Sequence, residues 1–215
     1  MFELFDPTSD YVVRRGSLPH WYQPGVTCFV TFRSDDSVPR DLARSWYGRR
    51  EHWLRVHGLD PASPHWKAKL QEDPQLEKEF SQTFTREFME YLDRGYGECL
   101  LRDPELAEIV ANALRHFDGT RYWLGDFIVM PNHVHAIVCM LGSTELQPQC
   151  DSWKSYTARA INRKLGRKGR FWQAESFDHL VRSPDQFDYL RRYIAENPEK
   201  AKLEAGDYLH WVREM

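Results

Sequence analysis

His133-Val134-His135, inside the run Phe127-Ile-Val-Met-Pro-Asn-His-Val-His-Ala-Ile-Val-Cys-Met140, is where the chain most plainly offers chemistry. Residues i and i+2 of a β-strand point to the same face, so the two imidazoles stand side by side. Val134, Ala136, Ile137 and Val138 around them suit a sheet packed on a core. Two imidazoles on a rigid strand form half of a divalent-metal site. They serve equally well as a polar pair facing solvent or a neighbouring helix, and groups elsewhere in the chain must decide. One such group lies on a helix expected over 184–197. There Phe187, Leu190 and Ile194 face a core, while Tyr189, Tyr193 and Asn197 form a neighbouring stripe at i, i+4, i+8. On their own, tyrosines at a helix edge pack their rings and wet their hydroxyls. A third feature is the segment 153–172, with seven basic and no acidic side chains in a chain of net charge −3. Residues 60–118, by contrast, hold 13 acidic and 7 basic ones. A basic block in an acidic protein reads as a patch for a polyanion.

The elements that must position these groups follow from composition and punctuation. At 215 residues, 28% charged and 41% hydrophobic, the chain suits one sizeable core and is not disordered throughout. The longest apolar stretch, 127–141, is interrupted by Pro131, Asn132 and the histidines, so no membrane-spanning helix is expected. The N-terminus lacks a basic region followed by an apolar one, so secretion is not expected. Cys28, Cys99, Cys139 and Cys150 show no CxxC spacing, and a reducing cytoplasm is the expected home.

Val26–Arg33 reads as a first strand after Pro24-Gly25. Residues 40–98 read as helical, cut by Pro61, Pro64 and Pro74, and the i+4 series Phe80, Phe84, Phe88, Leu92 as a core stripe. A helix is expected from Asp103-Pro104, carrying Leu106, Ile109, Val110 and Leu114 inward and ending near Asp118-Gly119. Strands follow at 121–129 and 133–140, then a surface loop over 142–151, the basic helix over 152–165, and a short strand at 177–182. Ser183-Pro184-Asp185-Gln186 is a capping box that starts the last helix, and Asn197-Pro198 is expected to stop it. Setting 40–98 aside as a helical insertion or accessory lobe, this order predicts one domain over 1–215. Its fold class is α+β, a ferredoxin-like antiparallel sheet with helices on one face.

The His-hydrophobic-His strand, a C-terminal helical tyrosine and the basic segment between them resemble the HUH single-tyrosine transposases. Within these, the likeness is to the REP-associated tyrosine transposases. The text that carries it is Met130-Pro-Asn-His-Val-His135, Trp153-Lys-Ser-Tyr-Thr157, Gly169-Arg-Phe-Trp-Gln173, Phe177-Asp-His-Leu-Val-Arg182 and Tyr193-Ile-Ala-Glu-Asn-Pro198. It covers about residues 100–204. The resemblance implies that His133, His135 and Asn197 hold Mg²⁺ or Mn²⁺ and that Tyr193 is the nucleophile, with Tyr189 as the competing choice one turn earlier. It implies that Lys154, Arg159, Arg163, Lys164, Arg167, Lys168 and Arg170, with Trp153 and Trp172, lie along single-stranded or hairpin DNA. Attack by Tyr193 would leave a 5′-phosphotyrosine and a free 3′-OH. Two other classes fit the same residues: a domesticated module that grips single-stranded DNA or RNA hairpins without cutting, and a small-molecule metal hydrolase. Barrel hydrolases with this motif need a longer chain, and nucleotide hydrolases need a third histidine where Ile137 stands. Monomer or homodimer stays open, including a dimer that places Tyr193 in its partner's site.

Overall fold

The computed structural model describes residues 2–6, 8–14, 20–63 and 65–214. Its centre is a five-stranded antiparallel sheet. The strands are β3 (Thr27–Arg33), β4 (Tyr122–Val129), β5 (His133–Met140), β6 (Phe177–Leu180) and β7 (Leu209–Trp211), in the order β6-β3-β5-β4-β7. Without β7 that is the ferredoxin-like order, and the chain is α+β as its pattern predicts. A short pairing of β1 (Val12–Arg14) with β2 (His20–Tyr22), not foreseen, precedes the sheet.

β3 and β5 are flanked by strands on both sides and packed on both faces, so all their residues are buried. Strand alternation then sorts them. Val30, Phe32, Val134, Ala136 and Val138 pack under α5 (Pro104–Arg115) and α6 (Leu146–Lys164). Phe29, Ile128 and Ile137 pack instead against Leu190 and Ile194 of α7 (Pro184–Lys200). Helices therefore cover both faces, where one was expected. The sheet is apolar on both sides, and the last helix closes the side that α5 and α6 leave open.

Two element boundaries moved for physical reasons. α6 starts at Leu146, inside the expected loop, because Leu146, Gln149 and Cys150 are buried beneath it and Pro148 sits in the first turn, where no N–H is required. α7 runs through Pro198 to Lys200. Pro198 is buried, and the turn after it closes through Ala201 N–H to Asn197 O and Leu203 N–H to Pro198 O. Tertiary packing here outweighs the local penalty of an interior proline.

Residues 40–93 form α1 (Arg40–Val56), α2 (Trp66–Glu72), α3 (Pro74–Phe80) and α4 (Arg86–Asp93), the last two joined by one π turn, Ser81–Thr85. Pro74 opens α3 behind the Asp73 cap; Pro64 lies outside the described residues. Phe80, Phe84, Phe88 and Leu92 pack with Trp46 and Trp53 in clusters of their own, as a core stripe should. The lobe is pinned where it leaves and rejoins the sheet: Glu98 N–H donates to Asp36 Oδ2 at 2.7 Å. Gly97, at φ +91°, lies so close to Asp36 that a Cβ there would fall 2.6 Å from its Cγ. Among the described residues, no helix is long and apolar enough to cross a membrane.

Candidate active site

His133 and His135 point to the α7 face of β5, and neither is exposed. Their rings lie 4.6 Å apart at 70°. Each is held by its Nδ1. Asn132 gives its Nδ2 hydrogens to Leu92 O at 3.3 Å and Tyr96 O at 3.0 Å, so its Oδ1, 2.7 Å from His133 Nδ1, must accept. That places the His133 proton on Nδ1 and leaves the Nε2 lone pair free. His135 Nδ1 meets Thr31 Oγ1 at 2.7 Å across the strand pair. Burial pushes His133 down to about 3 and His135 well below its ordinary value, the latter also opposed by His133. Both rings are therefore neutral at physiological pH, the form a metal needs.

α7 brings the remaining groups over this pair. The Tyr193 ring lies 5.3 Å from that of His135 and 6.1 Å from that of Phe29. Tyr193 thus meets the histidines of its own chain. Asn197, one turn later, is fully buried. Tyr189 is 57% exposed and stacks on Tyr193 at 6.4 Å, one step removed from the histidines. The Lys200 ammonium sits 5.3 Å over the Tyr193 ring, a contact that exists because α7 continues past Pro198.

The sequence reading assigned nothing here to the helical lobe, but Asp93, the last residue of α4, reaches the site. Its carboxyl faces the Asn197 carboxamide without a hydrogen bond closing between them. Burial pushes it up to about 6 against the pull of Lys200 and Asn197. Burial, then Asp93 and Tyr189, drive the Tyr193 phenol well above its ordinary range. Twelve buried side-chain nitrogen or oxygen atoms lack a hydrogen-bond partner among the described residues, and six belong to this one cluster. They are His133 Nε2, His135 Nε2, Tyr193 OH, both amide atoms of Asn197, and Asp93 Oδ1. Buried polar atoms are normally satisfied, so such a concentration marks a place built for something else. A cleft of about 1060 Å³ opens over it between the lobe and α7, lined by Tyr193, Tyr189, Asp93, His179 and Lys200.

Among the described residues, no three His, Cys, Asp or Glu side chains gather closely enough to hold an ion by themselves. The two free Nε2 atoms are nonetheless of the kind a divalent ion would take, with the Asn197 carboxamide and oxygens of a substrate as its further ligands. Mg²⁺ and Mn²⁺ are commonly bound in this way, with few protein ligands.

The basic segment divides. Trp153 and Trp172 are core residues, their indole N–H groups donating to Tyr122 OH at 3.1 Å and Thr157 Oγ1 at 2.8 Å. Lys154 is buried and donates to Ala174 O at 2.5 Å. None of these three faces outward, which corrects their expected place along DNA. α6 has a buried face, and Trp153, Lys154, Thr157 and Ile161 lie on it. Lys164, Arg167 and Arg170 are exposed but paired with Glu105, Glu98 and Asp35. Arg159, Arg163 and Lys168 are exposed and form no ion pair among the described residues. All lie on or just beyond α6, across the sheet from Tyr193. His179, with no role in the sequence reading, packs tilted against Phe29 with ring centroids 5.3 Å apart and lines the cleft; His52 and His116 are exposed.

No family model and no curated protein matches the chain. Among solved structures, it is similar to that of a REP-associated tyrosine transposase bound to a REP hairpin. Identity is 17%, over 90% of this chain and 74% of that one, with a TM-score of 0.44. At that level of likeness, function has to be read from the residues of the site.

Proposed function

We propose that the chain is a metal-dependent single-strand DNA endonuclease and strand transferase of the HUH single-tyrosine type, in the REP-associated branch, acting on hairpin or repeat DNA. The observation that carries this reading is the convergence of His133 Nε2, His135 Nε2, Asn197 and the Tyr193 hydroxyl in one buried cluster, every one of them without a partner.

A phenol with a pKa of about 10 in water is a weak nucleophile at neutral pH, and burial makes Tyr193 weaker still. His133, His135 and Asn197 would hold a divalent ion, which when bound would supply positive charge toward a scissile phosphate and favour the phenolate. Asp93 is the carboxylate facing Tyr193, and it takes the phenolic proton. The phenolate oxygen bonds to phosphorus, the bond to the 3′ oxygen breaks, and that oxygen takes a proton from solvent water and leaves as a 3′-OH. The strand's 5′ phosphate stays on Tyr193. Because the phosphoester is conserved, a 3′-OH can reverse the step and join strands without ATP.

The test is incubation with Mn²⁺ and a labelled hairpin DNA, followed by a denaturing gel. A protein-linked strand that disappears with Tyr193→Phe and persists with Tyr189→Phe is the expected result. An adduct that persists with Tyr193→Phe would overturn the assignment. Tight hairpin binding with no adduct at all would leave the non-cleaving module.

A further inference from the structure

Arg50, on the inner side of α1, is 3% exposed, and its Nε has no hydrogen-bond partner. Among the described residues no carboxylate forms an ion pair with it. Its guanidinium is instead surrounded by rings, with centroids at 5.1 Å (Trp66), 5.7 Å (Trp46) and 5.8 Å (Tyr47). A buried cation without a resident anion is costly, and aromatic faces compensate only in part. The group lines a cavity of about 470 Å³ beneath the lobe, together with Trp66, Phe80, Lys67, Arg182 and Glu77. Lys67 is tied to Asp178 O and Arg182 to Glu77. Arg50 has no such contact: Glu51 and Glu175 act on it only from beyond ion-pair distance.

This cavity adjoins the cleft over Tyr193 and shares part of its wall. Ser81, Gln82, Thr85, Met89, Phe177, His179 and Gln186 line both. Three of those seven belong to the π turn, where one extra residue widens the helix; such turns recur at functional sites. A cleft at Tyr193 and a buried guanidinium flanked by two indoles and a phenol thus lie side by side under the lobe.

We infer that the Arg50 cavity is a nucleotide subsite: Arg50 receives a backbone phosphate, and Trp66 and Phe80 receive an unstacked base, of the same single strand that Tyr193 engages. The inference rests on the strand-cutting reading of the cleft. The chemistry favours a nucleotide over a small anion, since the cavity joins one cation to apolar ring faces and far exceeds the size of a phosphate. Arginine forks and aromatic faces are the usual receptors for single-stranded backbone and bases.

The test uses the full chain carrying Tyr193→Phe, without metal, so that binding is read apart from cutting. Fluorescence anisotropy of a labelled oligonucleotide is measured for this protein and for versions adding Arg50→Gln or Arg50→Lys. Arg50→Gln should weaken binding by about tenfold or more, with Arg50→Lys recovering part of the loss. Circular dichroism checks that each variant folds. Should Arg50→Gln not fold, quenching of tryptophan emission by the dinucleotide pTpT decides the matter, with Trp66→Phe expected to reduce it. Unchanged affinity in a folded Arg50→Gln protein, or no quenching by pTpT, overturns the subsite. The adduct assay separates the two readings. If no hairpin yields an adduct while Arg50→Gln still weakens strand binding, the cutting reading fails and the subsite stands. If adduct forms and Arg50→Gln alters neither adduct nor binding, the subsite alone is wrong.

Discussion

Arg191 Nε donates to Asp126 Oδ2 at 2.7 Å, tying the helix that carries Tyr193 and Asn197 to the strand beside the two histidines. Asp126 faces α7 because β4 slips register against β5 between Leu124 and Phe127. Gly125 allows that slip, since a Cβ there would sit 3.0 Å from Ile137. With its side chain 6% exposed, Asp126 depends on Arg191 and the Arg213 N–H for compensation. Arg191→Ala should therefore destabilise the fold by about 2–3 kcal/mol, read from urea unfolding. It should also lower adduct formation more than hairpin affinity, because what loosens is the placement of Tyr193.

Asn132 does for His133 what Arg191 does for α7. Asn132→Ala removes the acceptor that fixes the His133 tautomer and takes one donor each from Leu92 O and Tyr96 O. Mn²⁺ affinity, measured by calorimetry, should fall about 10- to 100-fold, the usual effect of losing an outer-shell partner. A variant that binds Mn²⁺ as well as the wild type would show that this carboxamide does not orient the ring.

Protonation gives opposing signs at the site. His133, at about 3, and His179, at about 4, lie below the ordinary 6.5, so between those values the unfolded chain binds protons that the folded chain refuses. Their contribution to stability is present above 6.5 and is lost as pH falls through that window. Asp93 runs the other way: raised from 3.8 to about 6, it opposes folding increasingly across that interval and fully above it. Metal-free Asp93→Asn should thus be more stable than wild type at about pH 7, with the gain vanishing in acid. Its adduct yield should drop about 100-fold if Asp93 accepts the Tyr193 proton. Urea titrations across the pH range, beside adduct yields, check both halves.

The outward-facing cations predict a different phenotype. Arg159→Ala, Arg163→Ala and Lys168→Ala should leave stability within about 0.5 kcal/mol of wild type. If these side chains touch phosphates, each should lower the slope of log affinity against log salt by about one unit. Lys154→Ala should instead destabilise the fold, since its ammonium group is bonded inside. Salt-dependent anisotropy and thermal melts separate the two classes.

Much of this was legible because local rules and tertiary structure agree. Ser183 accepts from Gln186 N–H, as the capping sequence predicts, while Gln186 Oε1 reaches one residue further back than a capping box requires and accepts from Arg182 N–H. The His-x-His strand and the Tyr193–Asn197 stripe also came from periodicity alone. The failures have a common cause. Charge counting along 153–172 says nothing about which face of α6 turns inward, so Lys154 and Trp153 looked available. Pro198 reads as a stop unless its burial is known. Asp93 stands 40 residues before His133 and Arg50 lies further off still, and no spacing rule links either to the site. Asn132 was nearest to discovery: an amide directly before a candidate ligand is a signal that its ring has an orienter.

The contact between Asp36 and Gly97 also bears on ancestry. The chain leaves the sheet and re-enters it at touching points, so everything between can be gained, lost or exchanged without altering the strand order. The histidines and tyrosine belong to the sheet and its last helix, while Asp93 and Arg50 travel with the detour. A lineage could therefore change which strands it grips by swapping one contiguous stretch of gene, keeping the histidines and the tyrosine in place so long as the new stretch again supplied a carboxylate where Asp93 stands.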